Sequence, residues 1–180
     1  MSMSSIETVQ QSIEELIEKF EGDPNFFTSE MDFHCYLYHL LVSKENLQRN
    51  FISKDEKNTG LVHAEYPSVL GFHVDLVVFE PKTIANYKLK EQRVMCQIEI
   101  KVWRSIARFN VENERQLRGR LGEDKQAHKF IIYLYLAKKP EYWQEFLADL
   151  RKLKGENEKI FLESTTAQAL VTKIEPGISW

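Results

Sequence analysis

The chain has 180 residues, 43% hydrophobic, 12% aromatic and 28% charged, with 24 Lys and Arg against 27 Asp and Glu for a formal net charge of −3. That size and apolar content suit one folded domain that needs no disulfide or metal staple, and they exclude a disordered chain. No apolar run approaches the roughly 18 residues of a membrane span, and the opening MSMSSIETVQQ has neither the basic region nor the apolar core of a signal peptide.

In chain order, Ser4 with Glu7 reads as a capping box, and Ile6, Val9, Ile13, Leu16, Ile17 and Phe20 recur at helical spacing until Gly22, Asp23 and Pro24 stop the helix. Ser29 and Asp32 form a second capping box ahead of Phe33, Tyr36, Leu37, Leu40 and Leu41, with Glu30 and Asp32 in a first turn where carboxylates suit the helix dipole. Residues 43–60 read as a loop, or as an irregular strand near Phe51 followed by a loop. Three strand-like segments follow, Leu61–Tyr66, Gly71–Phe79 and Val94–Val102, with Glu80–Arg93 as a long connection between the last two. Residues 104–129 are polar and Arg-rich, a weakly amphipathic helix. FIIYLYLA (Phe130–Ala137) has the unbroken apolar character of a strand buried on both faces. Pro140 opens a helix carrying Trp143, Phe146, Leu147, Leu150 and Leu153 and closed by Gly155. A short strand is expected at Lys159–Leu162, and Ala167–Val171 reads as helical. The order α, α, β, β, β, polar α, β, α, β is that of an α/β protein, a mixed sheet with helices on both faces.

Period-two alternation places Ile98, Ile100 and Val102 on one face of their strand and Gln97, Glu99, Lys101 and Trp103 on the other. In HVDLVVF, Asp75 shares its face with His73, so His73 can approach whatever Asp75 binds. A carboxylate in the middle of an apolar strand is costly unless compensated. If the two strands pair, Asp75 and Glu99 sit side by side and repel, and a divalent cation between them resolves the conflict. Lys101, on the face of Glu99, can reach a water or phosphate held there. Acid-x-Lys alone is uninformative, since Asp55/Lys57, Glu80/Lys82 and Glu123/Lys125 repeat it. Only Glu99/Lys101 lies in an apolar alternating strand preceded by another with a central Asp.

The run from Glu30 through HAEYP, HVDLVVF and IEIK resembles the PD-(D/E)XK nuclease superfamily, the restriction-endonuclease-like fold. The resemblance implies an αβββαβ core over residues 28–137, with an N-terminal helical extension at 1–24 and a C-terminal helix and tail at 138–180. It also implies a Mg2+- or Mn2+-dependent phosphodiesterase with Asp75, Glu99 and Lys101 as the catalytic set. Asp75, Glu99 and Glu30 would be the metal ligands, and Glu65, His73 and Gln97 supporting positions around them. Val74 stands where the signature has proline.

The net charge of −3 argues on its face against a nucleic-acid partner, but charge is unevenly placed. Residues 1–34 hold eight acids against Lys19, a local net of −7. Residues 101–129 hold eight bases (Lys101, Arg104, Arg108, Arg115, Arg118, Arg120, Lys125, Lys129) against four acids, a local net of +4. Arg104, Arg108, Arg115, Arg118 and Lys125 are therefore expected to contact nucleic acid, DNA before RNA, through its phosphates. The alternative is a solvated helix laced with pairs such as Glu114–Arg118. Trp103 is a stacking platform or, more ordinarily, core.

Three function classes stay open: a nuclease, a nuclease-like domain that only binds nucleic acid or a protein partner, and an oligomer-forming protein, a homodimer being compatible with the first. His34 and His39 are five apart rather than the i, i+4 of a zinc-binding helix face, and His63-x-Glu65 lacks the Pro-Cys-x-x-Cys of a deaminase. Cys35 and Cys96 have no metal-ligand spacing, so a cytoplasmic protein with free thiols is expected.

Overall fold

A computed structural model of the chain describes residues 4–48, 51–52, 58–67, 73–80, 93–103, 111–122, 126–136, 140–153, 158–164 and 168–176. Both expected capping boxes form. Helix α1 (Ser5–Gly22) starts at Ser4, whose hydroxyl accepts from the Glu7 N–H while Glu7 accepts from the Ser4 N–H. Helix α2 (Glu30–Ser43) starts at Ser29, with Asp32 reaching back to the N–H groups of Thr28 and Ser29. These bonds satisfy backbone donors that a helix start leaves without partners. A single 3-10 turn, Pro24–Phe26, joins the two helices. Phe27, just before the α2 cap, stacks on Phe33 with ring centroids 4.1 Å apart, and Phe20 of α1 meets Phe33 edge-on. That aromatic contact fixes the angle at which α2 leaves α1, and so where Glu30 and its neighbours point.

The chain then makes a small hairpin, β1 (Phe51–Ile52) with β2 (Asn58–Thr59), where only an irregular strand near Phe51 is expected from sequence. The main sheet comprises β3 (Val62–Pro67), β4 (His73–Phe79), β5 (Val94–Trp103), β6 (His128–Tyr135), β7 (Glu158–Ser164) and β8 (Ala169–Ile174). Its order is β3-β4-β5-β6-β8-β7, and it is antiparallel except for the parallel pair β5–β6. Helix α3 (Val111–Gly122) lies in the connection between the parallel strands, and helix α4 (Pro140–Leu153) between β6 and β7. The expected helix at Ala167–Val171 is instead strand: residues 169–171 belong to β8, and Ala167 lies outside the described residues. Leu170 and Val171 pair with Tyr133 and Ile132 of β6, so tertiary pairing overrides a short and ambiguous local pattern. The Glu80–Arg93 connection, apart from its two ends, also lies outside the described residues.

Alternation sorts the core into two layers. Phe130, Ile132 and Leu134 of β6, with Ile98 and Ile100 of β5, pack with Val9, Ile13, Leu16, Phe33 and Leu37 of α1 and α2. Ile131, Tyr133 and Tyr135 pack with Leu121 of α3 and Trp143, Phe146 and Leu147 of α4. Trp103 joins the second layer, its ring 6.2 Å from Phe146, so the core reading of this residue holds. Each fully buried Val, Leu, Ile or Phe in these layers contributes about 1.5–3 kcal/mol. The molecule is thus a mixed α/β structure with a six-stranded sheet between helices. Among the described residues no helix is long and apolar enough to cross a membrane.

His128 opens β6 beside Glu175, whose carboxylate lies 2.9 Å from its Nδ1. Burial, helped by Lys173 and Lys129 and opposed by Glu175, holds the imidazole below its ordinary value of 6.5. A depressed folded-state value means that this contribution is complete above the unfolded value and is lost as pH falls through the folded one. Measured against His128→Gln, the urea midpoint of wild-type protein should therefore lose ground between about pH 7.5 and pH 5.5. Identical pH profiles for the two proteins would reject the assignment.

Candidate functional site

Pairing between β4 and β5 runs from Phe79/Val94, across a register shift at Val78/Phe79, to Leu76/Ile98 and stops there at the Asp75 end. Asp75 and Glu99 occupy the next positions, and side chains replace the ladder there. Asp75 Oδ2 accepts from the Ile100 N–H at 2.6 Å, and Glu99 Oε2 accepts from the Asp75 N–H at 3.4 Å. Both carboxylates are buried, at 8% and 5% exposure. The expectation that the two acids sit side by side is met. Lys101 Nζ lies 2.8 Å from Glu99 Oε1 and is partly open to solvent.

Electrostatics follow from this packing. Burial, then repulsion from Asp75, holds the Glu99 carboxyl above the usual glutamate range against the pull of Lys101. Burial works to lower the Lys101 pKa, but the charge of Glu99, followed by Asp75 and Glu30, more than offsets it, so the ammonium is strongly held as a cation. The pocket is therefore short of positive charge even with Lys101 in place.

Helix α2 supplies the remaining groups. Glu30, its first residue, accepts from the Val102 N–H at 3.3 Å and so reaches the strand that carries Glu99 and Lys101. One helical turn on, at i+4 and hence on the same face, His34 is buried beneath the helix. Its Nε2 lies 3.3 Å from Asp75 Oδ2, without hydrogen-bond alignment, and its Nδ1 lies 3.7 Å from Glu65 Oε1. Burial works to lower the His34 pKa, but Asp75 against the ring, then the charges of Glu30 and Glu65, outweigh it and raise the pKa above the ordinary histidine value.

Glu65 stands across from Asp75 in the β3–β4 register, between the pairs Ala64/Leu76 and Tyr66/Val74. Its backbone has φ of 50°, a left-handed conformation uncommon for a residue with a side chain and costing about 1–3 kcal/mol. Its carboxylate is half exposed, and its second oxygen lies 3.7 Å from Nδ1 of the exposed His73. Glu65 thus has an oxygen within 4.8 Å of Asp75, and His73 contacts Glu65. Gln97 is buried on β5 and pairs in register with Val77.

The three proposed metal ligands do not form one tight cluster. Among the described residues, the group whose ligating atoms all lie within 4.8 Å of one another is His34, Glu65 and Asp75, without Glu30 or Glu99. His34 is the site residue that sequence reasoning missed. Testing it only against His39 hid a usable signal, the Glu30-x-x-x-His34 spacing that puts both on one helix face.

The basic stretch needs correction. Arg118, expected to contact nucleic acid, is 3% exposed and pairs with Glu114, Glu158 and the Tyr133 hydroxyl. The Glu114–Arg118 pair does form, but buried rather than on a solvated face. Lys129 is buried as well. Arg115 is exposed and pairs with Glu112 at 2.6 Å. Arg104, Arg108 and Lys125 lie outside the described residues. The local net charge of +4 therefore overstates the surface charge, because among the described residues two of its bases, Arg118 and Lys129, and one of its acids, Glu114, are internal.

The thiols do not enter the site. Cys96 is buried, burial pushes its thiol up, and Cys35 is exposed on α2. No family model matches this chain, and it matches no curated protein and no solved structure.

Proposed function

We propose that the chain is a metal-dependent phosphodiesterase of the restriction-endonuclease-like type that hydrolyses nucleic acid, with DNA as the first substrate to test. The observation that carries this reading is the buried Asp75–Glu99 pair at the point where the β4–β5 pairing stops, with Lys101 on Glu99. Two carboxylates held together against repulsion, one of them pushed toward its neutral form, suit a divalent cation. Asp75 and Glu99, with Glu30 apart from them at the Val102 N–H, offer only oxygen, the donor type that Mg2+ prefers.

A bound divalent ion would supply a water of lowered pKa and neutralise charge on the scissile phosphate. The chain's own residues do the rest. The Ile100 N–H holds the Asp75 carboxylate in one orientation, and the Asp75 N–H does the same for Glu99. Lys101, a fixed cation at the open side of Glu99, orients the attacking water or stabilises charge developing on the phosphate. Glu30, tied to the Val102 N–H, adds negative charge beside Lys101.

The full chain should cut plasmid, single-stranded DNA, duplex oligonucleotide or RNA when Mg2+ or Mn2+ is added, with Asp75→Asn as the inactive control. No cutting of any of these, or equal cutting by the variant, ends the reading. A second reading keeps the fold without the chemistry: a domain that holds nucleic acid or a protein. The 2.8 Å Lys101–Glu99 pair favours it, because that pair already neutralises one of the two carboxylates. Calorimetry showing no binding of Mg2+ or Mn2+ would select it.

A further inference from the structure

We propose that His34, Asp75 and Glu65 form a cation site of their own on the α2 side of Asp75, selective for a first-row transition ion of the Mn2+-to-Zn2+ series over Mg2+. This goes beyond the phosphodiesterase reading and does not depend on it, because it rests on a histidine that the hydrolytic set leaves unused.

The central observation is His34. It is 6% exposed, and its buried Nε2 has no hydrogen-bond partner although Asp75 Oδ2 is only 3.3 Å away. Buried polar nitrogens are normally satisfied, and one left without a bond calls for an explanation. A metal ion taking the place of the imidazole proton would satisfy that nitrogen and the carboxylate together.

Spacing agrees. One ligating atom from each of the three residues lies within 4.8 Å of the others. Nitrogen and oxygen ligands bind such ions at about 2.0–2.2 Å, so two ligands of one ion stand roughly 3–4 Å apart. The His34–Asp75 distance already falls there. Glu65, half exposed, can close the remainder by turning its side chain. His73, 3.7 Å from the other Glu65 oxygen, stands where it can orient that carboxylate.

Charge and ligand type choose the ion. With the imidazole proton released on binding, two carboxylates and a neutral imidazole balance a dication. Mg2+ prefers oxygen ligands in a near-octahedral shell that keeps several waters, whereas imidazole nitrogen suits the transition series. The all-oxygen Asp75–Glu99 side and the His34 side of Asp75 therefore differ in the cation they favour.

The full-length chain is titrated with Co2+, read by visible absorption, and with Mn2+ and Mg2+, read by calorimetry. Wild type should bind Co2+ and Mn2+, and His39→Asn, at an exposed position of the same helix, should bind them unchanged. In His34→Asn that affinity should fall at least about tenfold, the scale on which even supporting residues of metal sites act. Equimolar Mg2+ should not displace Co2+. Unchanged binding in His34→Asn, or displacement by equimolar Mg2+, overturns the proposal. Should His34→Asn fail to fold, nuclear magnetic resonance of wild type decides. Substoichiometric Mn2+ should broaden the His34 ring signals and spare those of His128, and the absence of selective broadening overturns the proposal. A chain that binds Mn2+ through His34 and cuts nothing keeps this site and ends the phosphodiesterase reading. One that cuts with Mg2+ and has no His34 site does the reverse.

Discussion

Asp75→Asn should lower metal-dependent cleavage at least about 10³-fold, the upper range for removing one preorganised electrostatic group, while leaving the metal-free fold intact. The asparagine amide oxygen can still accept from the Ile100 N–H, now bonded to Asp75 at 2.6 Å. What disappears is one negative charge. Glu99 gains by that loss, because repulsion from Asp75 is second only to burial in holding its carboxyl high. The sign follows by linkage. A carboxyl whose folded-state pKa is raised weakens folding progressively as pH climbs from its unfolded value through its folded one. Removing Asp75's charge relieves part of that penalty but also takes a favourable charge from His34 and Lys101, so metal-free Asp75→Asn should stay close to wild type in urea at neutral pH. Asp75→Ala differs in one respect. It leaves the Ile100 N–H without an acceptor, which costs about 1–3 kcal/mol, and the urea midpoint should fall with the activity. Asp75→Asn protein that cuts at the wild-type rate would remove Asp75 from the reaction. Asp75→Asn as unstable as Asp75→Ala would show that the carboxylate's charge, not its bond to Ile100, holds the strand ends together.

The elements that alternation or helical spacing marks strongly are legible in the sequence because one physical cause dominates each. Ser4/Glu7 and Ser29/Asp32 cap as their spacing requires, and the apolar faces of α1, α4 and β6 bury as their periodicity requires. Asp75 beside Glu99 is legible too, since two buried acids in neighbouring strands have few arrangements. Three features are not. β8 is a strand because β6 and β7 flank it, a tertiary cause with weak local trace. Glu65 adopts φ of 50° opposite Asp75, a backbone state that no pattern of residue types announces for glutamate. His34 reaches Asp75 only because the Phe20–Phe27–Phe33 contact sets the pitch of α2. Sequence places His34 on a face with Glu30, but not over that strand.

The burial of Arg118 leads to the other large effect. As one of eight bases in a stretch of 29 residues, it looks like part of a phosphate-binding surface. In the fold it is an internal cross-brace. From α3 it pairs with Glu158 at the start of β7 and donates to the Tyr133 hydroxyl of β6 at 2.9 Å, while the Glu114 carboxylate one turn back lies 3.3 Å from its Nε and accepts from the Tyr133 hydroxyl. Burial, then the nearby Glu114 charge, holds the Tyr133 phenol well above its ordinary value, so it serves as a neutral donor. Arg118→Ala removes the cation and leaves two buried carboxylates facing a phenol. Breaking a buried ion pair from one side typically costs about 3–5 kcal/mol. For a chain of this length that is a fall in Tm on the order of 10 °C. Arg118→Lys should recover only part of it, because an ammonium cannot span three partners as the planar guanidinium does. Arg118→Met with Glu114→Gln and Glu158→Gln should recover more, since no uncompensated charge remains inside. Scanning calorimetry of the four proteins gives the order directly. A Tm for Arg118→Ala within a degree or two of wild type would return Arg118 to the surface. Binding to a short duplex at several salt concentrations separates the two roles independently. Removing a residue that touches phosphate flattens the salt slope by about one unit, whereas removing an internal brace leaves the slope of the still-folded protein unchanged.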